Sequence, residues 1–99
     1  MKDYKESEKL HNKALEIRIR IFGEQSDYTA SSYHNLGLLY EDKKDFDRAK
    51  ELYLKAFRIW EEVLNKNHPT LGSSNNSLAI LYAKQGDFQK AYEYMKIAV

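Results

Sequence analysis

The segment SSYHNLGLLY at residues 31–40 returns as SSNNSLAILY at residues 73–82, 42 residues further on. The interval governs more than that segment. Asp3-Tyr4, Asp45-Phe46 and Asp87-Phe88 stand one interval apart, as do Ala14, Ala56 and Ala98. Laying residues 1–57 over 43–99 gives about 16 identities. Other pairs are alike in kind: Ile21 with Val63, Phe22 with Leu64, Gly37 with Ala79, Leu38 with Ile80. A fixed period of about 20–50 residues marks stacked units, each too small to bury its apolar face alone. The chain holds about two and a third periods and begins and ends in mid-period, so it reads as a segment of a longer array.

Spacing within the period is helical. In residues 45–64, Phe46, Ala49, Leu52, Tyr53, Ala56, Phe57, Ile59, Trp60, Val63 and Leu64 recur in steps of three and four, which places them on one helical face. Asp45 is suited to cap that helix, and Asn65 to end it in the left-handed conformation. Residues 3–22 repeat the pattern, with Asp3 and Glu6 as a capping box and Gly23 as the stop. A third copy opens at Asp87. Shorter helices are predicted over about 27–43, capped by Ser26 or Asp27, and about 69–85, where Pro69 suits the first turn and Gly86 the end. Lys44 occupies the place of Gly86, at a cost of about 1 kcal/mol if it must be left-handed. The order is long, short, long, short, long: five helices with short loops, all-α, neighbours antiparallel. Gly37, Ala49, Ala56, Ala79 and Ala91 are small where helices would cross closely.

Composition removes several functions. Charged residues are 31% and balanced at net +1, without the basic stripe of a nucleic-acid footprint. No apolar run approaches the ~20 residues of a membrane span, and the polar opening MKDYKESEKL is unlike a secretory signal. Cysteine is absent, which rules out disulfides and thiol chemistry and fits a reducing, cytoplasmic setting. His11, His34 and His68 are not spaced as a helical metal pair. The glycines at 23, 37, 72 and 86 form no phosphate loop, and Glu61-Glu62 and Glu41-Asp42 read as solvated charge. No enzyme, metal or cofactor is expected. The aromatics recur at the repeat interval (Tyr4, Phe46 and Phe88; Tyr40 and Tyr82), which points to helix packing. Trp60 has Arg18 as its counterpart, so it is expected to face the next unit or a partner.

The stretch NLGLLYEDKKDFDRAKELYLKAF resembles a tetratricopeptide repeat, through Gly37, Tyr40, Phe46, Ala49 and Ala56. SLAILYAKQGDFQKAYEYMKIA matches through Ala79, Tyr82, Gly86, Phe88, Ala91 and Ala98. The period of 42, with HPTLGSSNNSLAILY at the joint, is similar to the kinesin-light-chain type. The resemblance covers residues 1–99 and implies helix-hairpin repeats stacked as a right-handed α-solenoid of about two and a half units. It also implies a protein-interaction scaffold whose concave groove, lined by the first helix of each pair, takes a peptide or partner helix.

On that reading the groove residues are Ser31, His34, Leu38, Glu41 and Asp42, then Ser73, Asn76, Ile80 and Lys84, with Asn35 and Asn75 flanking. Amide side chains suit an extended peptide, since each can donate and accept at once. Lys84 is the single groove cation, beside Glu41 and Asp42, so a carboxylate clamp is not expected. Two further readings stand beside the groove: a structural segment that self-associates through uncapped terminal helices, and a peptide-sensing regulatory module.

Overall fold

The computed structural model describes residues 4–98. They form α1 (Tyr4–Phe22), α2 (Asp27–Asp42), α3 (Phe46–Val63), α4 (Pro69–Lys84) and α5 (Phe88–Ala98). No strand occurs among the described residues. Successive helices pack on one another, with α2–α3 and α4–α5 as the closest pairs. The fold is therefore a row of hairpins, and its Cα atoms fill a slab of 36 × 35 × 17 Å.

Helices α2, α3, α4 and α5 begin where the sequence supplies an acceptor for the free amides of the first turn, at α5 Asp87 accepting from Lys90 N. Ser26 caps α2 through Thr29 N at 3.0 Å, and Asp45 caps α3 through Arg48 N. At α4 the cap is His68, whose Nδ1 accepts from Thr70 N at 3.1 Å, with Pro69 in the first turn. The expected Asp3 cap and its capping box with Glu6 involve a residue outside those described. Gly23 and Gly86 turn the chain with φ of 87° and 82°. Lys44 adopts φ 66°, the left-handed conformation its glycine counterpart implied. Asn65 departs from expectation. It has no positive φ, because α3 ends in extended backbone at Leu64, and the Asn65 side chain instead accepts from Asn67 N.

The core lies in two patches. One joins Leu36, Tyr40, Tyr53, Leu78, Leu81 and Tyr82 across α2, α3 and α4. The other joins Ala30, Tyr33, Ala56, Ile59, Trp60 and Leu71 nearer the opposite ends of those helices. Tyr53, Leu78 and Leu81 are fully covered, and each such side chain stabilises the fold by roughly 1.5–3 kcal/mol. Gly37 lies against the Tyr53 ring so closely that a Cβ there would be 2.6 Å from two ring carbons. Small residues do sit where the helices cross: Ala49, Ala56 and Ala79 have no exposed surface.

Trp60 corrects a sequence expectation. It is 5% exposed and donates from Nε1 to Asp27 Oδ1 at 2.7 Å, so it ties α3 to the start of α2 within one repeat. Its counterpart Arg18 bridges helices in a different way, donating to Tyr28 O and Ser32 Oγ, both at 3.1 Å. Among the described residues, no helix is long and apolar enough to cross a membrane.

Candidate functional site

α2 and α4 are counterparts one interval apart, and both are first helices of a hairpin. They meet through an ion pair between Glu41 on α2 and Lys84 on α4. Glu41 is held from the other side by Tyr53 of α3, whose hydroxyl donates to Oε1 at 2.6 Å. Burial, then this bond to a carboxylate, pushes the Tyr53 phenol well above its ordinary pKa, so it remains a donor. Three helices are thus tied at one carboxylate whose side chain is only 16% exposed.

The sequence-predicted residues fall in several places. Asn35, Leu38 and Asp42 line a cleft of about 420 Å³ between α2 and α1, where Tyr4, Ser7 and His11 form the opposite wall. Ile80 and Asn76 are exposed on α4. Ser31 is half-buried, while Ser73 lines a second cleft, at the joint of α3 and α4. Glu41 and Lys84 pair as above. His34 is half-buried, with its ring 4.8 Å from that of Tyr53 and 5.6 Å from that of Trp60, and its Nδ1 has no hydrogen-bond partner. Burial lowers its pKa, and the nearby Glu41 only partly opposes that, so the imidazole is held neutral. Asn75, expected to flank the groove, is 2% exposed and belongs to the packed side of α4.

Neither the α1 wall nor the buried support that Tyr53 gives Glu41 was legible in the sequence. Tyr53 reads as one more core aromatic at helical spacing. His11 is its counterpart one interval earlier, and that correspondence was the available signal. Among the described residues, no three His, Cys, Asp or Glu side chains are grouped to hold a metal ion.

A family model for the tetratricopeptide repeat matches residues 1–59 and 38–98. No curated protein sequence matches the chain. Among solved structures, BtubC (BKLC) from P. vanneervenii superposes with a TM-score of 0.89 at 34% identity, covering 96% of this chain and 38% of that one. A Podosopora anserina protein, assigned as a kinesin light chain with nearly identical TPR-like repeats, superposes with a TM-score of 0.85. Its identity is 24%, over 97% of this chain and 46% of that one, and at that level the likeness speaks to fold. The chain therefore spans less than half the length of the structures it matches.

Proposed function

Because the chain belongs to the tetratricopeptide-repeat family, whose repeats generally mediate protein–protein interaction, we propose that it binds a peptide or partner helix along α2 and α4. The observation that carries this reading is a repeated exposure. Leu38 is 48% and Ile80 is 42% exposed, at the same register of the two counterpart helices. A lone exposed aliphatic needs no explanation, but two spaced by the repeat form a register that an extended or helical ligand could follow. Asn35 and Asn76, both exposed, supply donors and acceptors beside them. Lys84 is already paired with Glu41, which favours an uncharged or mixed ligand over a carboxylate clamp. The reading is non-catalytic and carries no cofactor, and a cytoplasmic setting is part of it.

A screen of a peptide library against the intact chain and a Leu38→Glu/Ile80→Glu variant tests the proposal. Both side chains are exposed, so the variant should keep its circular dichroism. Ligands bound by the parent chain and lost in the variant are the expected result. Ligands retained by a folded variant would overturn it.

A second reading has its own observation. Leu10, Ile17 and Ile21 on α1 are 61%, 51% and 67% exposed, and Phe88, Tyr92 and Met95 on α5 are 70%, 65% and 50% exposed. Apolar surface concentrated on the two outermost helices favours self-association. A peptide-sensing regulatory module is the groove reading coupled to an output, and nothing in the fold favours it further.

A further inference from the structure

The two copies part company at the packed side of their first helices. Tyr33 and Asn75 stand one interval apart. Tyr33 is buried, and its hydroxyl donates to Glu24 Oε1 at 3.1 Å in the loop after α1, so its ring spans the joint between α1 and α2. At the next joint Glu24 is replaced by Lys66 and Tyr33 by Asn75, a side chain too short to span it. A cleft of about 660 Å³ lies there, and both Lys66 and Asn75 are on its wall. Its apolar lining includes Phe57, the counterpart of Leu15, and Leu71.

Asn75 is 2% exposed, yet its Oδ1 has no hydrogen-bond partner. A buried acceptor in that state has lost water without gaining a donor, so it favours a guest that brings one. Phe57 and Leu71 supply apolar surface among the polar lining, and pockets of this size combine such surface with a few polar groups to take a small molecule. Glu61 and Lys66 both line the cleft, and their opposite charges favour a neutral guest over an ion.

We propose that the cleft at the α3–α4 joint is a binding site for a small neutral phenol. The ring lies against Phe57 and Leu71, and the hydroxyl donates to Asn75 Oδ1. The ligand supplies to the second joint what Tyr33 supplies from within the chain to the first. The site shares Ser73 with the groove residues, and Asn75, expected to flank the groove, lies on the packed side of α4, so the site stands or falls independently of peptide binding.

The test is titration of the whole chain with p-cresol and separately with toluene, followed by amide chemical shifts. The expected result is saturable shifts confined to residues around Phe57, Lys66 and Leu71–Asn75, with toluene roughly three- to tenfold weaker for want of the hydroxyl. Asn75→Tyr should fill the cleft and abolish those shifts while the chain stays folded. Asn75→Leu keeps a side chain of similar size, removes the acceptor, and should make p-cresol and toluene bind alike. Absence of saturable shifts, shifts that persist in a folded Asn75→Tyr variant, or toluene binding as tightly as p-cresol to the parent chain would each overturn the proposal.

Discussion

Gly37 shows how narrowly one position can be set by its neighbour. Its counterpart is Ala79, and the counterpart of the Tyr53 ring it touches is Met95. A methyl is accommodated at position 79, where the chain carries a fully buried alanine, and is excluded at position 37 by the planar ring of Tyr53. Gly37→Ala should therefore cost about 1–3 kcal/mol in a urea titration, because Tyr53 is fully buried and has nowhere to move. Lys44 is the opposite case, a side chain held at φ 66° where the second copy has glycine. Lys44→Gly should raise stability by about 0.5–1 kcal/mol, read as a higher urea midpoint with an unchanged slope. His34 adds a pH dependence. Burial holds its folded pKa below the ordinary imidazole value of 6.5, so the unfolded chain binds the proton more readily. Its contribution is present above the unfolded pKa and is lost as pH falls from about 6.5 towards the folded value. Urea midpoints at pH 7.5 and 5.5 should show this loss, and His34→Asn, the residue found at 76, should reduce it.

At the scale of elements, the joints between helices differ more than the helices do. The α1–α2 joint is a chain of hydroxyls. Ser26 Oγ accepts from Thr29 N and donates to Thr29 Oγ1, which donates in turn to Gly23 O at 2.7 Å. The cap of one helix is thereby fastened to the end of the one before it. At the α3–α4 joint Leu71 stands where Thr29 was, His68 replaces Ser26, and no such chain can form. Ser26→Ala should cost about 1 kcal/mol by chemical denaturation, since it removes the acceptor from Thr29 N and breaks the relay. The same asymmetry explains Arg18 and Trp60. Arg18 satisfies Ser32, whereas Trp60 reaches Asp27 instead, and Ser74 Oγ, the counterpart of Ser32, is left buried without a partner. The helices were legible because capping residues, glycine stops and three–four spacing are local signals. The joints were not, because each partner comes from a different helix.

Across the whole molecule, a slab 17 Å thick is one hairpin deep, and the end helices α1 and α5 pack mainly on one neighbour each. Their apolar faces remain open in this chain. Leu10 is 61% exposed, so Leu10→Glu should change the unfolding free energy from a urea titration by less than about 0.5 kcal/mol. If the ends associate, the same variant should lower the mass seen by sedimentation at high concentration. The repeat of 42 residues determined the fold class by itself, down to the identity of five helices and the left-handed turn at Lys44. Periodicity repeats the same contacts, so one interval predicts the next. Only the tertiary structure decided which polar residues face outward. Asn35 and Asn75 look alike in the sequence, yet one is exposed and the other 2% exposed. The solvation of a helix position depends on what the neighbouring helix places over it. Trp60 is buried in the patch it forms with Ala30, Tyr33 and Leu71 and is bonded there to Asp27, and a cleft lies at the second joint, where Asn75 stands in place of Tyr33.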